Sequence, residues 1–300
     1  MEHQSESLAS EPSEQQPGRS DDGAVRPIPA SERDPLPKVW DENARIGDML
    51  KGRRGLVVGV ANEHSIAYGC AAKLRGFGAE IALTYQNAKA LPHVQPLAER
   101  IGAEVLLELD VTHPGSVASV FEGLRTTWGD LDFLIHSIAF APKGDLHGRL
   151  VDCSREGFLQ AMQISCHSFI EMAYHAEKLM RRGGAMITMS YYGADKVVNN
   201  YNVMGPVKAA LESSVRYLAN DLGDAGIRVY AVSPGPLKTR AASGIDHFDE
   251  LIQMAMERTP EHRLVDIAEI GRVVAFLVGA GASGMTGDVI FVDAGLHNMA

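Results

Sequence analysis

Residues 55–69 read Gly-Leu-Val-Val-Gly-Val-Ala-Asn-Glu-His-Ser-Ile-Ala-Tyr-Gly. An apolar, partly β-branched run bounded by glycines is followed by small residues that suit the start of a helix, so the expected order is strand, sharp exit, helix. Gly59 suits the tight turn out of the strand, Ser65 the cap position of the helix, and Gly69 a close packing of that helix on the sheet. A helix starting at the end of a parallel strand aims its free N–H groups and positive dipole end at whatever lies there, so a pyrophosphate is a fitting ligand. The spacing is not G-x-G-x-x-G, and a plain strand-to-helix loop could use the same residues. The stretch gains its meaning from its surroundings.

Outward from it, further short β-rich runs occur at 80–85, 105–110, 131–137, 185–190, 228–233 and 289–293. Between them apolar residues recur at helical spacing, as in Val207, Leu211, Val215, Leu218 and Leu222. Strands alternating with helices predict an α/β architecture: one doubly wound, Rossmann-type domain with a parallel sheet of about seven strands and helices on both faces. That domain is expected over 49–300. Residues 1–48 carry 11 acidic against 5 basic side chains, with many Ser and Pro. They are expected to form a disordered extension, because they offer too little apolar surface to offset the entropy of ordering.

The 300-residue chain has a net charge of −10 and no block of basic residues, which argues against a nucleic-acid surface. Cys70, Cys153 and Cys166 are odd in number and lack CxxC spacing, so they read as small hydrophobes in a reducing compartment. No His/Asp/Glu set has metal-ligand spacing. No apolar run reaches the roughly 18 residues of a membrane span, and the N-terminus does not look like a signal or transit peptide. The expected location is the cytoplasm.

In a doubly wound sheet ligands bind beyond the carboxyl ends of the strands. The second strand ends at Gln86, where an Asp or Glu commonly holds the adenosine ribose; Gln86 can still hydrogen-bond it. The nearest basic residue is Lys89, which leaves a 2′-phosphate without a partner and favours NADH over NADPH. The third strand ends in Asp110-Val111, suited to an adenine edge or simply to closing a strand. After the fourth strand His136 can be read as acid, base or structural residue, and the small and apolar residues 138–142 could floor a nicotinamide ribose. Ser233-Pro234-Gly235-Pro236 forms a rigid exit from the sixth strand whose backbone could hold the carboxamide. Residues 237–259 then suggest either a lid over an apolar pocket or an ordinary surface helix. The widely apolar 164–180 segment suggests burial against another subunit.

The chemistry is expected in residues 189–211, which hold Tyr191, Tyr201 and Lys208. Gly205-Pro206 places the helix start close to Val203, because proline is tolerated only in a first turn. Tyr201 then stands on the turn before the helix, with Lys208 leaning back toward it. An ammonium near a phenol is expected to lower the phenol's pKa and create a proton donor or oxyanion stabiliser. A tyrosine and a lysine framing a solvated helix edge would have the same spacing.

These motifs resemble the short-chain dehydrogenase/reductase superfamily over 49–299 and, within it, the bacterial NADH-dependent enoyl-[acyl-carrier-protein] reductase family. The resemblance is carried by Gly59–Gly69 and by Thr-Tyr-Gln-Asn at 84–87. It is carried further by His-Ser-Ile at 136–138, Tyr-Asn-Val-Met-Gly at 201–205 and Ala-Ala-Ser-Gly-Ile at 241–245. The sharpest mark is Tyr-x6-Lys with Tyr191 ten residues upstream, in place of the general Tyr-x3-Lys. The family implies reduction of a trans-2-enoyl thioester by NADH, with Tyr201 stabilising an enolate, Lys208 on the nicotinamide ribose, and Tyr191 as a second active-site tyrosine. It places Ala141 against substrate. It places Gly59, Ser65, Ile66, Gln86, Asp110, Val111, Ile138, Val232, Ser233, Pro234, Gly235 and Pro236 against cofactor. Acyl carrier protein is the implied partner and a homotetramer the implied assembly. Two departures stand out: Asp293-Ala294-Gly295 replaces Asp-Gly-Gly, and the lid reads Asp246-His247-Phe248-Asp249-Glu250, acidic where some relatives are basic. Acyl carrier protein is acidic, so docking would fall instead to Lys238, Arg240, Arg258 or Arg263. The competing readings are a carbonyl or 3-oxoacyl reductase of the same fold and a non-catalytic NAD-binding sensor.

Overall fold

The computed structural model describes residues 46–237, 239 and 248–299. Most of the extension expected over 1–48, and residues 238 and 240–247 of the expected lid, lie outside the described residues.

All seven expected strands form. They are β1 (Arg54–Val58), β2 (Glu80–Tyr85), β3 (Val105–Glu108), β4 (Phe133–His136), β5 (Gly184–Met189), β6 (Ile227–Pro234) and β7 (Val289–Val292). They pair entirely in parallel in the order β3-β2-β1-β4-β5-β6-β7. β3 stops two residues short of the expected end because the Asp110 N–H is taken by the Ser116 hydroxyl. β4 starts two residues late because the Leu131 N–H bonds to the Leu179 carbonyl rather than to a strand.

The helices are α1 (Ile66–Gly76), α2 (Leu91–Ile101), α3 (Ser116–Thr127), α4 (Lys143–Leu146), α5 (Arg155–Met162), α6 (Ser168–Glu177), α7 (Met204–Leu222), α8 (Phe248–Arg258) and α9 (Ile267–Val278). Strand residues alternate between two cores, as a period of two requires. Leu56 and Val58 join Phe121, Phe169, Leu211 and Val215 on one face, while Val57 joins Leu74, Val94, Ile270 and Val274 on the other. Burial on both faces explains why the strands read as continuous apolar runs.

Gly69 differs from expectation. A Cβ there would lie 2.5 Å from the Ile267 carbonyl oxygen, and one on Gly271 would lie 2.6 Å from the Gly69 oxygen. The small residues therefore let α1 cross α9, not approach the sheet. The 164–180 segment is likewise more structured than a single helix: α5 and α6 are joined by a π-helical turn, Gln163–His167. Phe169, Met172 and Ala176 face the core, and Ile170 and Tyr174 remain exposed.

Ala294 sits at φ +54, where a side chain meets its own backbone. The left-handed region costs an L-residue about 1–2 kcal/mol, and the extra unfolded-state freedom of glycine takes back about 0.4–1 kcal/mol. Ala294→Gly is therefore expected to stabilise the fold by about 0.5 kcal/mol, raising Tm by about 1–2 °C. A thermal melt showing an unchanged or lower Tm would contradict the strain at this turn.

Candidate active site

The connections leaving β1 run to β2 on one side, while its other neighbour is β4. This is the switch point at which open α/β sheets form their crevice. Gly59 turns out of β1 at φ +108, and a Cβ there would lie 2.1 Å from the Ser137 oxygen at the β4 exit. Only glycine allows the two exits to come this close. Ser65 occupies the cap position of α1, but its hydroxyl does not cap the helix. It accepts the N–H groups of Ala61 and Asn62, each at 3.0 Å, and so braces the turn behind it. The start of α1 is thereby open to an anion: the helix begins with no side-chain cap and no acidic residue in its first turn, leaving its amides available.

His136 is fully buried, with Nδ1 at 2.8 Å from Thr188 Oγ1 and Nε2 at 2.9 Å from Ser168 Oγ. Burial, aided by the positive charge of Lys208, pushes its pKa down to about 3. It is a neutral structural residue, not an acid or base. Beyond it Ser165, in the π-helical turn, accepts the Phe140 N–H at 2.9 Å and donates to the Phe140 oxygen at 3.0 Å. One hydroxyl thus fixes both backbone groups of a loop residue beside Ala141.

α7 starts at Met204, leaving Tyr201 on the preceding turn as expected. Pro206 falls in its first turn, where the missing N–H costs nothing. The turn is tight, with Asn200 at φ 64 and Asn202 at φ 42. Asn202 Nδ2 donates to the carbonyl oxygens of Asp145 and His147, tying the Tyr201 turn to α4. The rings of Tyr191 and Tyr201 lie 4.8 Å apart at 58°. Lys208 is 4% exposed and donates from Nζ to the Met189 carbonyl oxygen at 2.6 Å.

The electrostatics differ from expectation. Burial, with a smaller contribution from Glu212, raises the Tyr201 pKa above the ordinary phenol value. Burial likewise raises Tyr191, reinforced by the neighbouring Tyr192 and Tyr201. The desolvation of a buried phenolate outweighs any help from the lysine. Lys208 itself is pushed down to about 8 by burial, opposed by Cys166 and Glu212. Both tyrosines are neutral hydrogen-bond donors.

These groups line one cleft of about 200 Å³. It gathers Ser65, Ile66, Ile138, Ala141, Tyr191, Tyr201, Lys208, Pro234, Gly235 and Pro236. Gly59, Gln86, Asp110, Val111, Val232 and Ser233 are not in its walls. Gln86 is exposed at the end of β2. The Asp110 carboxylate beyond β3 accepts both the N–H and the hydroxyl of Thr112. Leu146, Met204, Ser190 and the Asn202 brace were not read from the sequence. Leu146 and Met204 carry no signal beyond being apolar, and the bonds of Ser190 and Asn202 exist only after folding. Among the described residues three buried side-chain atoms find no partner: the hydroxyl of Tyr191, in the cleft wall, that of Ser233, beside the lining residue Pro234, and Asn202 Oδ1, in the turn beside Tyr201. Unpaired buried hydroxyls next to an uncapped helix start fit a polar, phosphate-bearing cofactor.

A sequence profile described as "Enoyl-(Acyl carrier protein) reductase" matches residues 59–297. The chain belongs to the enoyl-(acyl carrier protein) reductase family. Among its relatives, enoyl-[acyl-carrier-protein] reductase [NADH] 1 of Rhizobium meliloti is 46% identical over 256 residues, covering 85% of this chain and 94% of the relative. The solved family member from Anaplasma phagocytophilum, in complex with NAD, is 44% identical with a TM-score of 0.82, covering 85% of this chain and 98% of that one. The Bacillus cereus enzyme, solved with NADP+ and indole naphthyridinone, is 41% identical with a TM-score of 0.83, covering 84% and 99%.

Proposed function

We propose that this protein reduces the C2–C3 double bond of trans-2-enoyl thioesters with NADH, the last step of each round of fatty-acid elongation. The observation that carries this reading is the convergence of Tyr191, Tyr201 and Lys208 on one cleft at the switch point of a family member's sheet. When bound, NADH supplies the hydride that is added to C3 of the substrate. Negative charge then develops on the thioester oxygen. The neutral phenol of Tyr201 donates a hydrogen bond there, and its preorganisation in a dry site makes that bond worth more as charge grows. Tyr191, with its unpaired hydroxyl in the cleft wall, adds a second donor. Lys208 holds the nicotinamide ribose. Pro234–Pro236 and Ile138 would hold the nicotinamide, and Ala141 would meet the substrate. Gly59, Ser65 and Ile66 serve the pyrophosphate; Gln86, Asp110 and Val111 serve the adenosine end; Val232 and Ser233 support the β6 exit.

Acyl carrier protein is the substrate's carrier in this reading. Of the basic residues considered for docking it, Arg263 is committed internally: it forks onto Glu269 with two bonds of 2.9 Å and also binds Glu261. Arg258 stands at the end of α8, and Lys238 and Arg240 lie outside the described residues. α8 buries Leu251, Ile252 and Ala255, and would serve as the base of a lid. A homotetramer would cover the exposed Ile170 and Tyr174. Among the described residues no helix is long and apolar enough to cross a membrane, which agrees with a cytoplasmic enzyme.

The test is cofactor oxidation with matched substrates. Enoyl thioesters should be reduced, with 3-oxoacyl thioesters and simple ketones left essentially untouched, and NADH should outperform NADPH because Gln86 has no basic neighbour. Faster turnover of keto substrates would favour the carbonyl reductase, and tight NADH binding without turnover the sensor.

A further inference from the structure

The exit of β5 is fastened to α7 at two successive points. The Met189 carbonyl receives the Lys208 ammonium, and the next residue, Ser190, donates its hydroxyl to Glu212 Oε1 at 2.5 Å. Lys208 and Glu212 are four residues apart and so share one face of the helix. Tyr191 follows Ser190 directly, and Ser190 itself lines the cleft. The second fastening therefore sits one peptide from a tyrosine of the site.

Glu212 is half-buried, an expensive place for a carboxylate without a task. Burial, with exposed Asp195, raises its pKa above the ordinary carboxylate value, against the opposing pull of the Ser190 hydroxyl and the charges of Arg216 and Lys208. The groups around Lys208 are Cys166 from the π-helical turn, neutral His136 from β4, the Met189 carbonyl and Glu212. Cys166 is a thiol whose own pKa is raised by burial. Glu212 is thus the carboxylate of this set.

We propose that Glu212 is a positioning residue for the reduction, holding the Ser190 hydroxyl and with it the backbone that carries Tyr191, and standing as the counter-charge to the Lys208 ammonium. The inference rests on the reading of Lys208 as the ribose-binding group. It assigns two separable tasks to one carboxylate: an acceptor for Ser190 and a charge for Lys208.

The test uses full-length Glu212→Gln, Ser190→Ala and Lys208→Ala, with NADH affinity and kcat on a short 2-enoyl coenzyme A thioester measured from about pH 6 to about pH 9. Glutamine still accepts the Ser190 bond but carries no charge. Glu212→Gln should therefore move the alkaline fall in NADH affinity to lower pH by about half to one unit. Ser190→Ala keeps the charge and loses the bond. It should leave that fall in place and lower kcat about threefold to tenfold. A Glu212→Gln profile coinciding with wild type overturns the proposal, as does a Ser190→Ala variant that moves the fall or keeps full kcat. Should Glu212→Gln fail to fold, Ser190→Ala still decides the positioning task and Glu212→Asp, which keeps the charge, should show the wild-type fall. Unchanged NADH affinity in Lys208→Ala would sink the underlying reading instead; lost affinity there with an unmoved Glu212→Gln profile sinks only this inference.

Discussion

Tyr201→Phe should lower kcat about 10²–10³-fold, the range seen when one preorganised donor to a developing oxyanion is removed. NADH affinity should stay within about twofold, since a lost hydroxyl that does not touch the cofactor removes less than about 0.5 kcal/mol from its binding. Tyr201 is 7% exposed, lines the cleft, and packs its ring against Tyr191 at 4.8 Å, so phenylalanine keeps the packing and loses only the hydroxyl. Burial holds the phenol neutral throughout the working range. The rate should therefore show no step arising from ionisation of this tyrosine. Stopped-flow measurement of NADH oxidation separates the two quantities. A proportional loss of NADH affinity would place residue 201 on the cofactor rather than on the substrate oxygen.

The second large effect is on binding. Lys208→Ala should weaken NADH about tenfold to a hundredfold, as expected for loss of a charged hydrogen-bond donor worth about 1.5–3 kcal/mol. The wild-type ammonium is pushed down to about 8 by burial, so it is charged below that pH and neutral above it. Wild-type NADH affinity should accordingly fall as pH rises through about 8, while the alanine variant shows a weak and flat profile. A fluorescence titration across this window reads both. The variant also strands the Met189 carbonyl, at a cost of about 1–3 kcal/mol in stability, so the same samples should be melted to confirm folding. A pH-dependent profile surviving in Lys208→Ala would assign the titration to another group.

The fold was legible because burial on both faces of a parallel sheet leaves little choice of residue. Leu56, Val57 and Val58 are all apolar because all three are buried, and a glycine must stand at 59 because the Ser137 backbone is in contact with it. Boundaries were less legible wherever a side chain outbids the sheet for a backbone group, as Ser116 does at Asp110. Within the site, spacing put Tyr201 on the turn before the helix with Lys208 leaning back toward it, and Tyr191 came in through the family resemblance, but the ionisation of none of the three followed. Spacing shows which charges are near and says nothing of how much water is removed, and desolvation sets the sign at Tyr201. Ser65 shows the same limit at smaller scale. A serine at a helix start is rightly read as the cap position, yet whether its hydroxyl turns forward to the helix or back to Ala61 and Asn62 depends on a turn formed by Gly59.

The most direct test is a crystal structure of the full chain with NAD+ and a non-reducible analogue of an enoyl thioester. The account predicts the Tyr201 hydroxyl within hydrogen-bond distance of the thioester oxygen, Lys208 Nζ on the hydroxyls of the nicotinamide ribose, and C3 of the acyl chain against the ring. A complex in which the phenol of residue 201 points away from the acyl group, with the thioester oxygen held by some other donor, would contradict it.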